Sequence, residues 1–392
     1  MNRGYLNSLI LLGMSHLLID LILGVWPIYK TIIGLDVGVA SLIAGVCLVV
    51  GEAAQLLFGY LGTRLCCKKM VLIGLCLVSG IAVLAHVNTY PMIFLIILLV
   101  YLGSGAFHPS ATGILGQWCE NSQSLFITLF YTGGTIGAAL SQMVFSWSWS
   151  FFQGETLIFL VPVIIMAIWL CTHNFQKIAT VRDKPSVKEI LKMLQPNGAS
   201  LVSIFAIQVI VQTLVVALMF LLPDLLKSRQ CPDWLIYGGG DFFFVIGAAI
   251  FGLISGYLYR HFSFHQLLMT ASIVSATSLY LFLLLPKLSV LPMTALLLTM
   301  GGGLGTVAPI ILVKSGELVP KEIRSLIGGA FMGGATCFAG IGIAGAGLLT
   351  HFFVNDPIGS TLAVMGSLLS LVFLILLRTQ QNSAVPIQNL YR

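Results

Sequence analysis

Gly103-Ser104-Gly105-Ala106-Phe107-His108-Pro109 lies near the end of a long apolar run that begins at Pro91. Two glycines and a serine make a small-residue face, which lets a second helix approach closely in lipid. A histidine and a proline follow inside the same apolar segment. An ionisable side chain is costly there, so His108 is a functional candidate. The pattern returns in the second half of the chain as Gly303-Leu304-Gly305-Thr306-Val307-Ala308-Pro309. Ala308 replaces the histidine. The two copies read as related halves with different tasks.

Working outward, the 392 residues are 58% hydrophobic and 8% charged. An average soluble domain carries about 25% charged residues. A chain this apolar needs the bilayer as its solvent. Twelve apolar runs are legible, at 7–28, 38–61, 70–87, 91–114, 125–147, 156–172, 199–222, 235–258, 266–285, 290–313, 326–350 and 360–378. Each is near the length of about 20 residues that crosses the hydrocarbon core. The expected fold is therefore an all-α integral membrane protein. Arg3 precedes a full-length apolar run with no small-residue cleavage site, so no cleaved leader is expected.

The predicted organisation is a six-helix bundle over 1–172, a linker over 173–198, a second six-helix bundle over 199–378 and a tail over 379–392. Other pairs support the repeat. Tyr131-Thr132-Gly133-Gly134-Thr135 aligns with Phe331-Met332-Gly333-Gly334-Ala335, and Gly59-Tyr60-Leu61 with Gly256-Tyr257-Leu258. Gly103, Gly105, Pro109, Gly133, Gly134, Gly137, Gly303, Gly305, Pro309, Gly333 and Gly334 are thus expected at close helix contacts. In the linker, Ser186-x-x-Glu189 precedes Ile190, Leu191, Met193 and Leu194, a capping-box pattern that predicts a short amphipathic helix.

Lysine and arginine set the expected orientation. With both termini in the cytoplasm, only Lys30, Lys227, Arg229 and Lys287 fall outside. That is a strong positive-inside bias. The expected location is the inner membrane, as a multi-pass monomer with no nucleic-acid partner. The eight cysteines show no metal or redox spacing. No metal or cofactor is expected; a proton gradient is the expected energy source.

Ionisable groups inside the runs are few. His16 and Asp20 are spaced i, i+4, so both leave one helical face. Glu52 lies in the second run and His108 in the fourth. At a rise of about 1.5 Å per residue, all four fall about 10–20 Å from the cytoplasmic ends. They share one slab of the membrane, where a carboxylate–histidine cluster can exchange protons near neutral pH. His16, Asp20, Glu52 and His108 are the proton-coupling candidates. The quieter readings are that His16 only holds Asp20 in place and that His108 bonds groups freed by Pro109.

In the second half Gln208 and Gln212 repeat the i, i+4 spacing with neutral groups. With His108 and Asp20 they are candidates for substrate contact, although glutamines also serve as helix-to-helix glue. Asp241 is expected at the periplasmic mouth, and Asp224, Asp233 and Glu155 as solvated loop charges. With no lysine or arginine deep in any run, the expected substrate leans towards a neutral, cationic or weakly held amphiphilic molecule. No nucleophile or ligand set suggests an enzyme. Two repeats joined by a linker point to a secondary transporter with a site near the bilayer midplane.

These stretches resemble the major facilitator superfamily, and within it the fosmidomycin-resistance group of drug exporters. Ser15-His16-x-x-x-Asp20 with Pro27 resembles that group's first helix. Gln55-x-x-x-Gly59 with Arg64 resembles the end of helix 2 and the loop 2–3 motif, a gating element to which Gly256 and Arg260 correspond in the second half. Gly105-Ala106-Phe107-His108-Pro109 resembles its helix 4 and Phe130-x-x-Gly133-Gly134-x-x-Gly137-Ala138 its helix 5. Pro320-Lys321-Glu322-Ile323-Arg324 resembles the equivalent second-half loop. The resemblance implies alternating access between two bundles and proton-driven drug efflux by antiport; proton-coupled import of a nutrient or metabolite is the alternative. The sequence departs from the loop pattern with Thr63 at the acidic position, Cys66 at a glycine and Leu56 at a proline.

Overall fold

The computed structural model describes residues 3–115, 123–175 and 186–383 and is all-helical over them. In chain order the helices are α1 (Arg3–Leu23), α2 (Val25–Ile33), α3 (Val37–Leu65), α4 (Cys67–Val78), α5 (Tyr90–Leu115), α6 (Gln123–Phe151), α7 (Leu160–Thr172), α8 (Val187–Leu194), α9 (Gly198–Ser228), α10 (Gly240–Leu258), α11 (Phe264–Leu284), α12 (Val290–Glu317), α13 (Arg324–Leu349) and α14 (Pro357–Ser383). Helices α1 and α2 form one crossing, and a 3-10 stretch, Ser79–His86, extends α4. With α8 set aside, that makes twelve crossing helices among the described residues. Ten stretches are long and apolar enough on their own. Helix α7 falls in a shorter apolar stretch, Leu157–Thr172. Leu56, Leu253 and Leu291 are exposed, as apolar side chains are in a protein whose solvent is lipid.

The chain divides into two compact units. One comprises Met1–Asp183, Met219–Phe242 and Gly340–His351; the other comprises Lys184–Leu218, Phe243–Ala339 and Phe352–Arg392. In the first unit the small face of α5 packs on two helices. Gly103 meets the Gly74 carbonyl of α4, and Gly105 meets the Gly51 carbonyl of α3. A Cβ at either position would strike backbone. In the second unit α12 repeats the arrangement. Gly303 faces Ala271 and Ser275 of α11, and Gly305 faces Ala248 of α10. Pro109 and Pro309 lie inside unbroken helices, against Gly59 of α3 and Gly252 of α10 respectively. Gly334 of α13 faces Phe205 of α9, and the adjacent Gly333 is half-buried.

The first crossing is broken. Gly24 separates α1 from α2, and its N–H donates to the Asp20 carbonyl at 3.1 Å. The Ser141 hydroxyl of α6 occupies the space a Cβ at Gly24 would need, and donates to the Leu21 carbonyl at 2.5 Å. Helix α2 then runs to Gly34, whose left-handed backbone (φ 70°) caps it. This crossing therefore continues past residue 28 and contains Lys30.

That extension corrects the reading of Lys30 and Asp224 as loop charges. Helix α9 also outruns its expected end at 222 and carries Asp224 with it. Lys30 is buried, and its ammonium bonds the Asp224 carboxylate. Thr31 Oγ1 donates to the other carboxylate oxygen at 2.7 Å, and Lys227 Nζ donates to the Thr31 carbonyl at 2.8 Å. Two lysines thus meet the last turn of α2, where the helix dipole favours cations. Asp241 is a second correction. It is 2% exposed in the first turn of α10, which continues directly from the turn Leu235–Gly239, and neither of its carboxylate oxygens has a hydrogen-bond partner among the described residues. Asp233 and Glu155 are exposed.

Helix α8 has both bonds of the capping box expected from Ser186 and Glu189. The rest of the linker, 176–185, and the tail from 384 lie outside the described residues. Between α3 and α4, Cys66 has φ 101°, a backbone conformation that favours glycine. Holding a side chain there costs about 1–3 kcal/mol. Cys66→Gly is therefore expected to stabilise the protein by about 1 kcal/mol net of the freedom that glycine gains on unfolding. A thermal unfolding scan in detergent checks this; an unchanged or lower midpoint counts against it.

Candidate functional site

Helix α1 presents His16 and Asp20 on the face that meets α5 and α6. His16 Nε2 lies 3.2 Å from Asp20 Oδ2. From α5, His108 Nε2 comes to 3.5 Å of Asp20 Oδ1 and 3.0 Å of His16 Nε2. The structure thus brings together three of the four proton-coupling candidates. His16 is sealed in, only 2% exposed, with its ring stacked on Phe130 at 4.0 Å and Phe107 tilted at 5.9 Å. Asp20 and His108 each keep 21% side-chain exposure, which is the cluster's opening to small molecules.

The hydrogen bonds fix where protons can sit. His16 Nδ1 is 2.8 Å from the Phe130 carbonyl, and His108 Nδ1 is 2.9 Å from the Ser104 carbonyl. A carbonyl only accepts, so His16 Nδ1 donates to Phe130, whereas His108 Nδ1 also meets the Ser104 hydroxyl at 3.0 Å, from which it can accept. Both Nε2 atoms then face each other and the carboxylate. Two bare lone pairs at 3.0 Å would repel. A hydrogen on one Nε2 turns the contact into an N–H···N bond, and where both Nδ1 atoms also carry hydrogen the resulting imidazolium is balanced by Asp20. Without that proton the cluster loses its bond and leaves Asp20 without a counter-ion.

Helix α6 supplies the third wall through its glycines. Gly133 meets the Gly13 carbonyl, Gly137 the Leu17 carbonyl, and Gly134 the His16 ring and the Asp20 carboxylate. A methyl at Gly134 would enter the cluster itself. Gly134→Ala is expected to cost about 1–3 kcal/mol through overpacking and to reduce proton-linked transport more than Gly133→Ala. Comparing thermal midpoints and proton flux for the two variants checks this. Equal flux losses would make Gly134 a packing residue only.

The remaining candidates are placed elsewhere. Glu52, on α3, accepts a 2.6 Å bond from Gln55 and lies within electrostatic reach of His108 and Asp20. Gln208 is buried on α9 and Gln212 half-buried one turn on, both in the second unit. Arg260 is exposed after α10, and a Cβ at Gly256 would meet nothing within 4 Å. The side chain of Arg64 lies outside the described residues. The Lys30–Asp224 pair escaped the sequence reading. Its signal was a lysine two residues past an expected helix end and an aspartate two residues past another.

The sequence model of the Major Facilitator Superfamily matches residues 8–341. The chain belongs to the major facilitator superfamily. Membership makes it a transporter and not an enzyme, with a small-molecule substrate and a multi-pass place in a membrane. No curated protein sequence matches it significantly. Solved structures of transporters match its fold at low identity. A bacterial homologue of the human lysosomal transporter Spinster, inward-facing and unoccupied, is 12% identical with a TM-score of 0.77, covering 96% of each chain. The nucleoside transporter NupG is 14% identical with a TM-score of 0.78, covering 96% of this chain and 99% of its own. A peptide transporter, POT, is 14% identical with a TM-score of 0.73, covering 95% and 94%.

Proposed function

We propose that this transporter exports a small organic molecule in exchange for protons, and that His16, Asp20 and His108 carry the proton. The observation that supports this is the 3.0 Å contact between two Nε2 atoms, which needs a shared proton to be attractive. Glu52, close enough to feel the charge of both His108 and Asp20, is the relay towards solvent. Gln208 and Gln212 supply neutral substrate contacts from the second half. Their half carries no histidine at the position equivalent to His108, so the two halves divide proton and substrate handling.

The same reading places both termini in the cytoplasm of a bacterial cell, on the lysine and arginine bias, and uses alternating access between two six-helix halves. Lys30 is the buried cation the sequence reading missed, yet Asp224 neutralises it. It offers no free charge to an anion, which keeps the preference for a neutral or cationic substrate. The resemblance to the fosmidomycin-resistance group supports export, and the nucleoside and peptide transporters among its structural matches support an organic cargo.

The test is substrate-driven pH change inside sealed proteoliposomes, using a panel of neutral, cationic and phosphonate compounds. The reading expects proton movement with at least one class, opposite in direction to the compound. Substrate movement with no proton movement would overturn the coupling, and movement of both in the same direction would overturn antiport.

A further inference from the structure

We infer that His16, Asp20 and His108 also form a binding site for a divalent transition-metal ion of the zinc, cobalt or nickel type. The inference rests on the proposed proton site, because the ion would take the lone pairs that otherwise share the proton. No metal-ligand spacing announces the site, since its ligands come from two helices far apart in the chain. The geometry supplies it. One ligand atom from each residue lies within 4.8 Å of the others. The closest approaches are 3.0, 3.2 and 3.5 Å. Ligands about 2.0–2.1 Å from a tetrahedral ion stand about 3.3 Å apart, so an ion would fit with small side-chain shifts.

Orientation is the second argument. Metal-bound histidines donate their other ring N–H to a carbonyl or carboxylate, which fixes the ring. Both rings have a carbonyl in place to accept that bond, Phe130 for His16 at 2.8 Å and Ser104 for His108 at 2.9 Å. Both Nε2 atoms are thereby aimed at one point, with a carboxylate beside it. Two imidazoles select borderline transition ions over magnesium or calcium, which need mostly oxygen ligands. The partial exposure of Asp20 and His108 leaves room for a water as the fourth ligand. A bound ion would displace the coupling proton, tie α1 to α5 and inhibit transport.

Cobalt is the probe, added to purified protein carrying a tag without histidine. The expected result is one ion per chain, with the strong visible bands of a four-coordinate nitrogen–oxygen site. Zinc should displace it and millimolar magnesium should not. Asp20→Asn should weaken binding by at least about tenfold, and His16→Ala or His108→Gln should abolish the bands. Glu52 and Tyr131 are the other titratable groups whose charge reaches the cluster, and Tyr131→Phe should leave the bands in place. Size exclusion confirms that each variant is folded and monodisperse. Absence of the bands in monodisperse wild type, or the same bands in both histidine variants, overturns the site. Proton flux measured on the same preparations separates the two readings. Flux without cobalt binding leaves the proton reading standing, and cobalt binding without flux leaves only the metal site.

Discussion

Proteoliposomes carrying Asp20→Asn are expected to show no substrate-driven proton movement above that of empty vesicles. Asparagine keeps the shape of the side chain and one carbonyl oxygen. It cannot carry the negative charge that balances an imidazolium formed between His16 and His108. With no counter-ion the shared proton is lost, and the two Nε2 atoms at 3.0 Å become a repulsive contact. Hydrogen bonds to charged groups contribute about 1.5–3 kcal/mol each. The variant is therefore expected to unfold at a lower temperature yet remain purifiable. Substrate counterflow, which needs no proton gradient, should persist if the substrate site is intact. Wild-type, pH-dependent flux in this variant would remove Asp20 from the coupling machinery.

Lys30→Met is expected to destabilise the protein by about 3–5 kcal/mol, the usual cost of leaving one member of a buried ion pair alone. The lysine is fully buried, with Phe220 stacked 4.4 Å from its ammonium, while Asp224 keeps 13% exposure and a second donor in Thr31. That partial compensation puts the effect nearer the lower figure. The double variant Lys30→Met/Asp224→Leu should recover most of the loss, because removing both charges also removes their desolvation cost. Lys30 belongs to the first of the two six-helix halves proposed above and Asp224 to the second, so parting of those halves at this end would break the pair. The double variant should therefore favour that opening, read as faster labelling of a cysteine introduced at Thr31. Unchanged labelling would make the pair a static fold element.

The twelve crossings were legible because an apolar run of membrane length has few other uses. Their ends were less so. Hydropathy stops at the first charge, while a helix continues if that charge finds a partner. Lys30 and Asp224 were each read as ending a helix, and each instead lies inside one because the other is there. Asp241 differs, since it is buried at the start of α10 with no partner for its carboxylate among the described residues. In the site, the i, i+4 spacing announced His16 and Asp20. The meeting with His108 followed only loosely from depth, because depth fixes a slab and not a direction. What sequence could not supply was the pair of backbone carbonyls that set the histidine tautomers. Gly134 read as a packing residue, and only its contact with His16 and Asp20 reveals that packing and chemistry share one position.

The break at Gly24 gives the first crossing a mechanical character. Asp20 lends its carbonyl to the last bond before the break, and Lys30 sits in the final turn of the segment beyond it. The nine residues of α2, about 14 Å long, begin where Ser141 packs against Gly24. A small tilt of α1 as the proton arrives would become a longer stroke at the far tip of α2, where the lysine is seated. The proton site and the ion pair would then be two ends of one lever.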